Sequence, residues 1–193
     1  MAHLDNTKKI SASEALEKLK QGNEAYLNAS ANSGDISPAI RTDTAENGQH
    51  PYAIIITCSD SRVIPESIFS AGIGELFTIR VAGNVINEFQ LGSVEYAADH
   101  LGSNLIVVLG HTNCGAVGAA IGGGAEGFIK SITDEIKSAI GEETDGYKAC
   151  CLNVERSIQK IRDGLSIPPE GIENGPKVIG AVYDIKDGHV DFL

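Results

Sequence analysis

Two continuous apolar runs organise the hydrophobic pattern of the chain. Ala53-Ile54-Ile55-Ile56-Thr57 and Leu105-Ile106-Val107-Val108-Leu109 are rich in β-branched residues and carry no polar alternation. That is the pattern of strands covered on both faces, as in a parallel sheet. The first strand is predicted over Tyr52 to Thr57 and the third over Leu105 to Leu109. Leu76 to Val81 and Val178 to Tyr183 read as two further strands. Asp187-Gly188 is a hairpin signal leading into a short last strand, His189 to Phe192.

Helical spacing fills the intervals. Ser11 with Glu14 forms a capping-box pattern, and Ala15, Leu16, Leu19 and Tyr26 continue it to about Asn28. Pro65 to Ser70 predicts a short helix with proline in its first turn. Longer helices are predicted over Gln90 to His100, Cys114 to Ile121, Gly127 to Ile140 and Gly146 to Asp163. Gly122-Gly123-Gly124 breaks the second of these, and Pro168-Pro169 marks a loop. Ala29 to His50, rich in Ser, Asn, Gly and Asp, reads as a loop or extended arm. Connections of that length often carry function or lie against another surface. The first helix either packs on its own domain or reaches across to a partner.

Strands alternating with helices predict an α/β fold with a mostly parallel four-stranded sheet flanked by helices and an added antiparallel edge strand. There is no internal repeat and no dividing linker, so residues 1–193 read as one domain. In such sheets ligands sit beyond the carboxyl ends of strands, where the strand order reverses. If the first and third strands flank that point, the residues following each are brought together.

Composition narrows the function. A hydrophobic fraction of 42% and a charged fraction of 21% are ordinary for a globular protein. The net charge of -11 argues against nucleic acid, which needs a basic face. No run has the length of a membrane span, and Met1 to Lys9 lacks the apolar stretch of a secretory signal. Four cysteines are too few for a disulfide scaffold. A cytoplasmic setting is therefore expected.

Chemistry concentrates at the two strand ends. Cys58-Ser59-Asp60-Ser61-Arg62 follows the first run, and His111-Thr112-Asn113-Cys114 follows the third strand. Cys58, His111 and Cys114 form a Cys2His set suited to zinc, with three protein ligands and an open fourth position as in catalytic sites. Asp60 could bind the metal itself or be held off it by Arg62, whose planar fork grips a carboxylate with two hydrogen bonds. Cys150-Cys151 reads as packing, because adjacent helical cysteines point apart.

These residues resemble the β-class carbonic anhydrases, whose pattern is Cys-x-Asp-x-Arg after the first strand and His-x-x-Cys after a later one. Gly22-Asn23, Gln49, Pro51, Arg80 with Ala82-Gly83-Asn84, Tyr96, Gly115-Ala116-Val117 and Val182-Tyr183-Asp184-Ile185 extend the likeness. The resemblance implies one zinc per subunit and reversible hydration of carbon dioxide to bicarbonate and a proton. Zinc-bound hydroxide would attack, oriented by Asp60, itself held by Arg62. It implies a substrate pocket of Gln49, Ile55, Val63, Phe77, Ala82 and Tyr96, and a homodimer or dimer of dimers. Residues 1–50 would then be a helical arm on the partner, with Gln49 and Phe77 serving the neighbour's zinc. Members with a bicarbonate-driven inactive state carry Trp three residues before the first Cys. Ile55 stands there, so an intact Asp60–Arg62 pair is expected near neutral pH. Val81 replaces the Asn often found in the family, near the pocket rim. Two alternatives remain at this point: hydrolysis of carbonyl sulfide or carbon disulfide on the same scaffold, and a structural zinc domain.

Overall fold

The structure is a computed structural model, and it describes residues 9–29, 31–173 and 175–193. Seven α-helices and five strands follow one another along the described residues. They are α1 (Ala12–Asn28), α2 (Pro38–Asn47), β1 (Ala53–Thr57), α3 (Pro65–Ile68), β2 (Leu76–Arg80), α4 (Glu88–Glu95), β3 (Leu105–His111), α5 (Gly115–Gly122), α6 (Ile129–Ile140), α7 (Gly146–Leu165), β4 (Lys177–Tyr183) and β5 (Val190–Phe192). The sheet order is β2-β1-β3-β4-β5. β2, β1, β3 and β4 run parallel, and β5 pairs antiparallel with β4.

The two apolar runs are apolar throughout because both faces of their strands are covered. Ala53, Ile55, Leu105, Val107 and Leu109 face one side, against Ala12, Ala15, Leu19, Ile68 and Phe69 of α1 and the α3 segment. Ile54, Ile56, Ile106 and Val108 face the other, against Val94 and Ala97 near α4 and Val154, Ile158 and Ile161 of α7. Every residue of β1 and β3 is buried. Burying an isoleucine side chain contributes about 1.5–3 kcal/mol, so these strands anchor the fold. A third cluster lies beyond the carboxyl ends, where α5 and α6 pack Val117, Ala120, Ile136 and Ile140 against Cys58 and Cys114.

α1 carries the expected capping box, with Ser11 and Glu14 bonding each other's backbone N–H. Its inner face packs on its own chain. Asn23 donates to Ile68 O and Gly188 O and accepts from Val190 N, joining α1 to α3 and the β4–β5 turn. Two expectations need correction. Ala29 to His50 is not loop throughout: Pro38 starts α2, capped by Ser37, whose hydroxyl accepts from Ile40 N. α2 buries none of its residues, so it leaves no periodic apolar stripe to read. Gln90 to His100 is not one helix either. α4 starts at Glu88 under an Asn87 cap and passes at Tyr96 into a π-helical turn ending at His100. Among the described residues no helix is long and apolar enough to cross a membrane.

Candidate metal centre

β1 is followed in sequence by β2 on one side of it, and β3 lies on the other, so the strand order reverses between β1 and β3. Thr57 pairs with Leu109 in register, and its hydroxyl donates to Leu109 O at 2.8 Å. The two strand ends are thus level. Cys58 and His111 emerge side by side although far apart in sequence. Asn113 then turns the chain through a left-handed conformation, φ 55°. Cys114 follows at the N-cap of α5.

The sulfurs of Cys58 and Cys114 and a ring nitrogen of His111 lie within 4.8 Å of one another, and all three residues are buried. His111 Nδ1 lies 2.9 Å from Thr112 O, a contact in which the nitrogen donates. That bond leaves Nε2 as the atom with a free lone pair. Among the described residues Nε2 is buried without a hydrogen-bond partner. An orphaned imidazole nitrogen beside two buried sulfurs is the donor set of a tetrahedral zinc site, and the residues fit that ion.

The three donor groups lie close enough to shift one another's proton equilibria. The hydrogen bond from Cys114 holds the Cys58 thiol well below its usual range against the effect of burial, with His111 and the Gly83 N–H adding to it. Cys114 is pushed up by the same Cys58 contact and by burial. Of the two sulfurs, Cys58 is the one favoured as thiolate. Burial alone pushes the His111 imidazole down, but Cys58 and the Thr112 carbonyl outweigh it and raise it.

Asp60 sits at the mouth. Arg62 donates from Nε to Oδ1 at 2.9 Å and from Nη2 to Oδ2 at 2.7 Å. The Arg62 fork holds the Asp60 carboxyl well below the usual carboxylate range. Two supports belong to the family likeness but had no role assigned from the sequence. Arg80, at the end of β2, donates to Asp60 O at 2.8 Å and to Cys58 O at 3.3 Å, pinning the Cys58–Asp60 backbone. Gly83 N donates to Cys58 Sγ at 3.3 Å. Gly83 has φ 68°, a left-handed conformation that favours glycine, and a Cβ there would press on Ile136 Cδ1 at 2.7 Å and Ala116 Cβ at 3.0 Å. Cys150 lies outside the ligand set. Its sulfur contacts His111 O at 3.4 Å, and burial pushes its thiol up to about 12.

The other expected site residues separate into two groups. Ala82 is half-buried at the start of the turn beside Cys58, and Val63 is fully buried with Ile55 in the core beneath Asp60. Gln49, Phe77 and Tyr96 lie elsewhere. Phe77 pairs with Ile54, three positions before Thr57 pairs with Arg80, a distance of about 10 Å along the strands. Tyr96 stacks on Phe77 with ring centroids 6.1 Å apart. Gln49 is exposed, and its side chain approaches Gly74 ahead of β2. These three residues gather toward the amino end of the sheet, away from their own Cys58. Val81 is half-buried and packs against the cluster that contains Cys58 and Cys114.

Comparison with known proteins agrees with this geometry. The carbonic anhydrase family model matches residues 53–190. Carbonic anhydrase 2 of Mycobacterium tuberculosis is 34% identical over 96% of this chain and 93% of its own length. The carbonic anhydrase of Pseudomonas aeruginosa is 52% identical over 75% of this chain and 74% of its own. Among solved structures, a β-carbonic anhydrase of Aspergillus fumigatus superposes with a TM-score of 0.68 at 27% identity, covering 94% of this chain and 89% of that one. One of two tetrameric β-carbonic anhydrases from Sordaria macrospora gives 0.69 at 25% identity over 94% of each chain. With a parallel sheet of this order, the matched segment reaching from β1 to β5 and close relatives along nearly its whole length, the chain belongs to the β-carbonic anhydrase family.

Proposed function

We propose that Cys58, His111 and Cys114 hold one zinc ion per subunit and that the protein catalyses reversible hydration of carbon dioxide to bicarbonate and a proton. The observation that carries the reading is the buried, unpartnered Nε2 of His111 beside the two sulfurs. Zinc, when bound, supplies a Lewis acid that ionises water near neutral pH.

The protein's own residues do the positioning. Asp60 is acceptor-only while Arg62 keeps it ionised, so it takes a hydrogen bond from the attacking water and aims the oxygen lone pair at the carbon. Arg62 and Arg80 fix its side chain and backbone. Ala82 supplies an apolar wall near the metal of its own subunit, while Val63 supports the Asp60 segment from the core beneath. Gln49, Phe77 and Tyr96 complete the pocket of the neighbouring subunit, with Gln49 donating to an oxygen of carbon dioxide or bicarbonate. That division is supported by their separation from their own Cys58 and by α2, which precedes Gln49 and buries no residue within its own chain. The active unit is then a homodimer or a dimer of dimers, with residues 1–50 contributing α2 and the outer face of α1 to the contact. Four free cysteines suit a reducing, cytoplasmic setting.

The test is carbon dioxide hydration by stopped flow before and after chelation, with zinc restored afterwards. Loss on chelation and recovery with zinc but not magnesium is the expected result. Full activity in metal-free protein overturns the reading.

A further inference from the structure

One face of α7 carries a row of buried or half-buried donors that the metal set does not account for. Cys150, Asn153, Ser157 and Lys160 fall at i, i+3, i+7 and i+10, a single stripe along the helix. Asn153 and Ser157 are 1% and 2% exposed. A polar side chain buried on a helix face is costly unless bonded. Each of the four reaches a main-chain carbonyl, Cys150 that of the ligand His111 and the other three those of the turn after β2, over residues 83–86. Cys150 Sγ donates to His111 O at 3.4 Å, Asn153 Nδ2 to Gly83 O at 2.8 Å, Ser157 Oγ to Asn84 O at 3.0 Å and Lys160 Nζ to Ile86 O at 3.1 Å.

The turn they grip is closed within itself by one backbone bond, Asn84 N to Val81 O at 2.9 Å. Gly83 and Asn84 both have left-handed backbone, φ 68° and 45°. Asparagine tolerates that region better than other side chains, but two such residues in succession still need restraint from their surroundings. The stripe supplies that restraint, and its consequence is chemical. The same Gly83 whose carbonyl Asn153 holds points its N–H at Cys58 Sγ. A hydrogen bond to a ligating sulfur draws electron density away from it and fixes its direction.

We propose that Asn153 is a positioning residue of the metal centre, which it serves from α7 by holding the Gly83 N–H on the Cys58 sulfur. The inference rests on the zinc reading above. It extends that reading from the ligands to a helix whose sequence carries no metal motif. Without Asn153 the turn relaxes and the Cys58 sulfur loses its donor. The metal is then bound less tightly and by a more electron-rich sulfur.

The experiment uses full-length protein loaded with zinc or cobalt(II). In Asn153→Ala, zinc affinity measured by competition with a chromophoric chelator is expected to fall about ten- to a hundredfold. The sulfur-to-cobalt charge-transfer band is expected to move to longer wavelength. Asn153→Asp is isosteric but sets an acceptor against the Gly83 carbonyl, and both changes are expected there too. Ser157→Ala removes the neighbouring rung with less disturbance, and a several-fold loss of affinity is expected even if the Asn153 variants fail to fold. Ile161→Val, buried further along α7, reports general loosening of the helix and is expected to leave band and affinity at wild-type values. Wild-type affinity and an unmoved band in folded Asn153 variants, or in Ser157→Ala where those do not fold, overturn the inference alone. Wild-type protein that binds neither ion overturns the zinc reading and this inference with it.

Discussion

Arg62 meets Asp60 edge to edge, with Nε on one carboxylate oxygen at 2.9 Å, Nη2 on the other at 2.7 Å, and the Arg62 backbone N–H adding a third bond at 3.0 Å. An ionised carboxylate has about four acceptor sites, so roughly one is left for the water that the proposed mechanism requires. Arg62→Lys keeps the charge but cannot form the two parallel bonds. We expect it to lower kcat for carbon dioxide hydration about ten- to a hundredfold with zinc content unchanged. Asp60→Asn, which replaces an acceptor oxygen with a donor, is expected to lose about 10²–10⁴-fold. Metal analysis alongside stopped-flow rates checks both, and Arg62→Lys with wild-type kcat would remove the fork from the mechanism.

The acid limb of stability should respond to Glu75, the residue before β2. Burial pushes its carboxyl up, but the Gly72 N–H at 2.7 Å and Lys18 of α1 at 2.6 Å outweigh burial and leave it below 4.5. A carboxyl whose folded pKa is depressed stabilises the fold above its unfolded pKa, and that stability is lost as pH falls through the folded value. Glu75→Gln should therefore flatten the fall of Tm below about pH 4.5. The loss at pH 7 equals what the flattening recovers, and both are small, because both partners are more than a third exposed and solvent screens the pair. An acid limb parallel to wild type would exclude Glu75 as a source of it.

Two glycines in helices should respond oppositely to alanine. At Gly22 in α1, a Cβ would lie 2.0 Å from Phe69 O, a backbone atom that cannot rotate away. α1 must lift from the α3 segment, and we expect Gly22→Ala to cost about 3 kcal/mol in urea denaturation, the upper end for overpacking. At Gly92 in α4 no atom lies within 4 Å of the added carbon. Gly92→Ala should stabilise by about 0.4–1 kcal/mol through the unfolded chain. Equal effects at the two positions would contradict the close α1–α3 approach.

The contrast between these residues also shows which parts of the molecule were legible in the sequence. β1 and β3 could be read because strands covered on both faces must be apolar at every position. α1 could be read from its cap and its buried stripe. α2 escaped because a helix that buries nothing within its chain has no period, leaving only Ser37-Pro38 as a signal. The π turn at Tyr96–His100 escaped because it continues a helix with altered hydrogen bonds but no change of composition. At the site, Cys58, Asp60, Arg62, His111 and Cys114 form local motifs whose residue types carry the chemistry. Arg80 and Asn153 act on backbone carbonyls, which every residue has, so nothing in their neighbours' identity marks the contact.

The separation of Gln49 from Cys58 leads to a test that needs no structure of the assembly. If Gln49 completes the neighbour's pocket, Gln49→Ala and Asp60→Ala damage opposite subunits' contributions to a given site. Each homodimer is then impaired at both sites. A hybrid of the two variants has one site with both defects and one with neither. Random pairing of equal amounts makes about half the dimers hybrids, each with one intact site of two. Co-expression, or mixing after dissociation, should therefore restore about a quarter of wild-type activity above the residual level of the parents. If Gln49 acts on its own subunit's metal, every site in the hybrid carries one defect and mixing restores nothing. Recovery without restored zinc content would also assign the gain to the pocket, since neither residue is a metal ligand in the Asp60–Arg62 paired arrangement.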